Sequence, residues 1–155
     1  KNITISSSDG TEISLAYDFA SQSKTILAMM GDPENEDDLS DEIYDNVIPL
    51  TAIETDVLQF IIKYIENSAS KDKIWKMKFI NDNFKDNDEL LYKVIVGSNY
   101  LDIPELLDLC CEKVAQYIKE CSSTKEIRQK FNIENDFTPE EEAKIKTDNP
   151  WLSYN

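Results

Sequence analysis

The chain has 155 residues, 41% of them apolar, and 31 acids against 16 bases give it a formal net charge of −15. That balance excludes a phosphate-backbone binder built on clustered Lys and Arg, and a protein drawn to an anionic bilayer, so neither nucleic acid nor membrane is an expected partner. There is no histidine and there are three glycines (Gly10, Gly31 and Gly97), which excludes Ser-His-Asp and Cys-His catalysis and any Gly-rich phosphate loop. No constellation of carboxylates points to an enzyme, and no cofactor, metal or catalytic residue is expected.

Lys1 to Ile5 does not read as a signal peptide, and a start without Met suggests residues missing or processed. Ile3 and Ile5, then Ile13, Leu15 and Tyr17, are apolar at every second position, the period of a half-buried strand. Asp9-Gly10 between the two runs is a hairpin signal. Over residues 18–30 the period changes, and Phe19, Ile26, Leu27 and Met30 suit one or two short helices with Asp18 or Ser23 at the N-cap.

Residues 32–45 carry eight acids (Asp32, Glu34, Glu36, Asp37, Asp38, Asp41, Glu42 and Asp45) and no base. Like charges at that density repel, and a mobile loop is expected. A metal-binding loop is the sharper alternative, but the Asp-x-Asp-x-Asp-Gly pattern with a terminal Glu is missing. Val47-Ile48-Pro49-Leu50 then reads as a short strand that Pro49 ends or confines to an edge.

From Thr51 the pattern is helical. Ile53, Val57, Leu58, Ile61, Ile62 and Ile65 form one broad apolar stripe, Asn67 to Asp72 is a polar break, and Ile74 to Phe84 is a weaker helix carrying Trp75, Phe79 and Ile80. Leu90, Leu91, Val94, Ile95 and Leu101 make the next stripe. Asp102-Ile103-Pro104 breaks it, with Pro104 suited to the first turn of a new helix. There Leu106, Leu107, Cys110, Cys111, Val114, Tyr117 and Ile118 have the spacing of a one-sided buried face. Cys110 and Cys111 point about 100° apart on that helix, which does not favour a bridge between them. With Cys121 they read as reduced, intracellular thiols, and as buried small hydrophobes.

The last 33 residues differ. Ser123 with Glu126 resembles a capping box before Ile127 and Phe131, and Thr138-Pro139-Glu140-Glu141 is a second helix start. The final helix holds little apolar surface beyond Ala143 and Ile145, and one so short is marginal alone in water. Phe131, Ile133, Phe137, Trp151 and Leu152 surround it. On physical grounds two readings stand level: these groups fold back on the preceding helix, or a partner completes the surface. The element order gives an α/β chain with the sheet at one end.

Several fragments, in order, resemble the S-phase-kinase-associated (Skp) family. They are Ser7-Ser8-Asp9-Gly10, Gln22-Ser23-Lys24-Thr25-Ile26, Ile48-Pro49-Leu50, Asn99-Tyr100-Leu101-Asp102-Ile103 with Leu106-Leu107-Asp108, Glu126-Ile127-Arg128, Phe131-Asn132-Ile133, Asn135-Asp136-Phe137-Thr138, Glu140-Glu141-Glu142 and Asn149 to Trp151. The resemblance implies a BTB/POZ fold over residues 1–121, a small three-stranded sheet wrapped by helices, followed by two F-box-binding helices over 122–155.

It further implies an adaptor subunit of a cullin-RING (SCF) ubiquitin ligase, without chemistry of its own, that bridges a cullin to F-box substrate receptors. Asn99 and Tyr100 would contact the cullin. Val114, Ile118, Phe131, Ile133, Phe137 and Trp151 would form the F-box surface, which favours the partner reading of the tail. Pro139 stands where some family members carry a prolyl hydroxylation site, although a helix-starting proline is the plainer reading. A weak homodimer of the free chain and a cytoplasmic and nuclear setting are expected. The alternative is a BTB-fold structural or assembly protein in a cullin-independent complex. Departures from the family are the stretch Lys119-Glu120-Cys121-Ser122-Ser123, where a Gly is usual, Pro150 directly before Trp151, and a poor match over 66–88.

Overall fold

The structure is a computed structural model that describes residues 2–151; Leu152 of the apolar tail lies outside them. The chain divides into two compact units, Lys1–Lys113 and Val114–Asn155.

In the first unit β1 (Asn2–Ser6) and β2 (Glu12–Ala16) pair antiparallel, with Ile3 opposite Leu15 and Ile5 opposite Ile13. The alternation buries Ile3, Ile5 and Leu15. The turn closes through the Ser7 N–H to the Thr11 carbonyl and the Gly10 N–H to the Ser7 carbonyl, with Gly10 at φ +84°, where a side chain would be strained. Asp9 accepts hydrogen bonds from the hydroxyls of Ser7 and Thr55, which hold its carboxyl below the usual range and tie the hairpin to the next long helix. β3 (Val47–Pro49) joins β1 in parallel, giving the order β2-β1-β3. Pro49 therefore lies on an edge strand, where its missing N–H costs no ladder bond.

Three local expectations are corrected. Tyr17 opens α1 (Tyr17–Ala20) instead of ending β2, and it stays buried while its hydroxyl donates to the Pro33 carbonyl. Asp18 caps nothing, because the N-cap of α1 is Ala16; Ser23 does cap α2 (Lys24–Met29), accepting from the Ile26 N–H. The acidic segment is not an unstructured loop. Asn35 and Asp38 form a reciprocal capping box around a 3₁₀ turn, Glu36–Asp38, and α3 (Asp41–Asp45) follows, its first-turn acids Asp41 and Glu42 facing the positive end of the helix dipole. Local hydrogen bonding there offsets the like-charge repulsion.

The core lies among α4 (Thr55–Ser68), α5 (Lys73–Asn83), α6 (Asp88–Tyr100) and α7 (Pro104–Glu120). Phe60 and Tyr64 widen the α4 stripe beyond the isoleucines, and Phe60 packs against Phe84 with ring centroids 4.6 Å apart. The α4–α6 contact is close at Gly97, where an added Cβ would come within 2.9 Å of Val57 Cγ1. A polar network reaches this core: the Tyr64 hydroxyl donates to Glu105 (2.9 Å), which also pairs with Lys76 Nζ (2.6 Å). The Lys76 hydrogen bond leads in holding the Glu105 carboxyl below its usual range, and burial pushes the Tyr64 hydroxyl up. Of the cysteines, Cys110 is buried, which raises its thiol to about 12, but Cys121 is half-buried and Cys111 faces solvent, correcting the expectation of three buried thiols.

The second unit holds the last part of α7 and the helices α8 (Thr124–Lys130) and α9 (Pro139–Asp148). Thr138 and Glu141 form the full capping box at α9, with Pro139 in the first turn. At α8 the box is offset: Ser123 caps the Glu126 N–H, while the Glu126 carboxylate turns to the backbone and hydroxyl of Ser122. α9 ends at Asp148, two residues before Pro150.

Candidate interaction surfaces

Asn99 and Tyr100 form the last turn of α6. That end closes in a Schellman arrangement: the Ile103 N–H reaches the Ser98 carbonyl (3.0 Å), the Asp102 N–H reaches Asn99 (3.1 Å), and Asp102 takes φ +50°. The start of α2 clamps the same turn. The Thr25 hydroxyl donates to the Tyr100 carbonyl (2.6 Å) and the Ser23 hydroxyl to the Leu101 carbonyl (2.5 Å). The backbone is thus held from two sides, while the Asn99 side chain is exposed and that of Tyr100 half-exposed.

Sequence reasoning missed the surface beside this turn. A groove of about 290 Å³ is lined by Ala52, Ile53, Val57, Tyr92, Val96 and Gly97, among others. Val96 is 66% exposed and stands three and four residues before Asn99 and Tyr100, so all three share one face of α6. The signal was present: Val96 is out of phase with the buried Leu91, Val94 and Gly97.

The six residues expected to meet an F-box all lie in the second unit. Val114 and Ile118 are one turn apart on α7, Phe131 is the C-cap of α8, Ile133 follows it, and Phe137 and Trp151 flank α9. Phe131-Asn132-Ile133 is a second Schellman end. Asn132 takes φ +52°, and the Ile133 N–H reaches the Arg128 carbonyl at 2.8 Å. Among the described residues of this unit none is buried. Ile118, Ile133, Phe137 and Trp151 are 45, 54, 47 and 77% exposed, and Val114 and Phe131 are half-buried. A unit whose apolar groups stay in water has not recovered their transfer free energy, about 1.5–3 kcal/mol for a large side chain fully buried. Pro139 is also exposed, in the first turn of α9.

A family model described as Skp1 family, tetramerisation domain, matches residues 1–69, and one described as Skp1 family, dimerisation domain, matches residues 104–152. "SKP1-like protein 1A" of Arabidopsis thaliana is 34% identical, over 97% of this chain and 96% of the relative. The chain belongs to the Skp1 family. Two further members are similar to it at 36% identity: "E3 ubiquitin ligase complex SCF subunit sconC" of Arthroderma benhamiae, over 96% of this chain and 93% of the relative, and "SKP1-like protein 11" of Arabidopsis thaliana, over 97% and 96%. The small sheet with its helices is the POZ fold of the Skp1 family, as the resemblance implied. Asn99 and Tyr100 fall between the two matched ranges.

Proposed function

We propose that this Skp1-family chain is an adaptor subunit of a cullin-RING (SCF) ubiquitin ligase, without chemistry of its own, that joins a cullin to F-box receptors. The observation that carries the reading is the second unit: no described residue in it is buried, and its largest apolar side chains point to water. A receptor helix laid against Ile118, Ile133, Phe137 and Trp151 would supply the missing burial, in the manner of an amphipathic helix entering an apolar groove. The relatives' printed names, SCF subunit and SKP1-like protein, support the same reading. The cullin would meet the clamped end of α6. There Tyr100 offers a stiff, amphipathic anchor and the groove at Val96 continues the same face. Hydroxylation of Pro139 would fall at the rim of the receptor surface, on an accessible turn.

The test is co-purification with a cullin N-terminal domain and an F-box segment, read by size and mass. Tyr100→Lys should abolish cullin capture and leave F-box capture intact. Phe137→Ala with Trp151→Ala should do the reverse. F-box binding unchanged in that double variant would remove the receptor assignment. Recovery of F-box proteins without any cullin would favour the cullin-independent alternative.

A further inference from the structure

The second unit carries a charge feature that its apolar side chains do not explain. A groove of about 580 Å³ along α8 and α9 is lined by Lys125, Arg128, Ile133, Asn135, Glu142 and Lys146, among others. Three cations stand there against one carboxylate, and that carboxylate already accepts a hydrogen bond from the Asn135 amide at 2.9 Å. Lys125 and Arg128 make no ion pair with any described residue. In the first unit, by contrast, Lys73, Lys76, Lys78 and Lys93 each hold a carboxylate at 2.6–2.9 Å. Where 31 acids face 16 bases, two bases left without a carboxylate in one groove are a local reversal of sign.

The groove is continuous with the receptor surface. Ile133, 54% exposed, belongs to both, so a chain that covers Ile133 also passes over the cations. Lys125 and Arg128 are three residues apart on α8 and share one face of it, roughly 5–6 Å between Cβ atoms. That pair can meet successive anionic side chains of one segment. The planar guanidinium of Arg128 suits a carboxylate taken through two parallel hydrogen bonds, and Lys125 adds a point charge beside it.

Resting on the reading of this unit as a receptor surface, we infer that the Lys125–Arg128–Lys146 groove takes an acidic segment of the receptor chain adjoining its F-box helix. The groove thereby ranks receptors by the charge beside that helix. The division of labour follows from the chemistry. The apolar side chains offer the same burial to every F-box helix, whereas charges at the rim of an interface set selectivity and salt dependence more than raw affinity. The net charge of −15 sharpens the choice, because an acidic segment is repelled by most of this chain and finds its complement in this groove.

The test is titration of the full chain with fluorescent F-box segments, alike except for a short flanking run of glutamates or of glutamines, placed in turn at either end of the helix. At one end the glutamate form should bind about five- to tenfold tighter than the glutamine form, with the advantage fading as salt is raised. Lys125→Gln with Arg128→Gln should remove the advantage and leave the affinity for the glutamine form unchanged. Lys125→Glu is the check on folding, since an acid in the first turn of α8 suits the helix dipole. That variant should prefer a lysine-flanked segment to the glutamate one. Equal binding of the glutamate and glutamine forms at both ends overturns the inference and leaves the receptor surface standing. An equal loss of both forms in the double variant does the same. Failure of every form to bind overturns the receptor reading, and the inference with it.

Discussion

In the first unit α4 opens without a side-chain cap and buries Val57, Leu58, Phe60, Ile61, Tyr64 and Ile65; in the second, α9 opens with a complete capping box and a proline and buries nothing. The two helices separate what makes a helix start from what makes it stay. A cap contributes about 1 kcal/mol and marks a boundary. Burying an apolar face contributes several times that and makes the helix part of a cooperative core. The second unit has the boundary signals in full and lacks the core.

The comparison breaks if truncation costs the two units alike. Leu91→Ala or Leu106→Ala, at fully buried positions, should each lower stability in urea by about 2–5 kcal/mol. Ile133→Ala and Phe137→Ala should change the free chain by less than about 0.5 kcal/mol while weakening receptor binding. A large cost at Phe137 would mean that the second unit has a core after all. Gly97→Ala sharpens the contrast from the other side. Alanine is the better helix former by about 1 kcal/mol, yet the clash with Val57 should make the change a net loss, of the order of 1–3 kcal/mol by denaturation.

Thr138→Ala should remove about 1 kcal/mol of local stability. It would appear as faster amide exchange in the first turn of α9, with the denaturation midpoint of the first unit unmoved. The smallest effect concerns Glu105. Its carboxyl titrates below the usual range in the folded chain, chiefly through the Lys76 hydrogen bond, so its contribution is present in full above the unfolded value of about 4.3 and is lost as pH falls through the folded one. Glu105→Gln should therefore flatten the acid limb of the stability profile and leave the second unit's exchange unchanged.

The strands, the hairpin and the long helices were legible because their periods of 2 and 3.6 run through Ile3, Ile5 and Leu15 and through Val57, Leu58 and Ile61. Tyr17 was misplaced because it is in phase with β2, although the chain turns helical one residue earlier than that phase suggests. The acidic segment was misread because charge counting overlooks the Asn35–Asp38 pair that closes its first turn. Cys111 was expected inside, but the Cys110 phase takes the buried side of α7. Asn99-Tyr100 and Phe131-Asn132-Ile133 were singled out as motifs, and the structure gives them a common physical form, helix ends closed by Asp102 and Asn132 at positive φ.

The strand order β2-β1-β3 has a consequence for how the chain is made. Of these three strands, the one synthesised before the others is the middle one of the sheet. It can close on β2 at once through the Asp9-Gly10 turn, but its other edge stays open until Val47 to Pro49 emerge, some forty residues later. The intervening stretch includes the acidic segment, whose charge disfavours strand pairing with a neighbouring nascent chain while the edge waits. A segment with no fully buried residue would then act as a guard during synthesis, protecting the edge of β1 that β3 covers last.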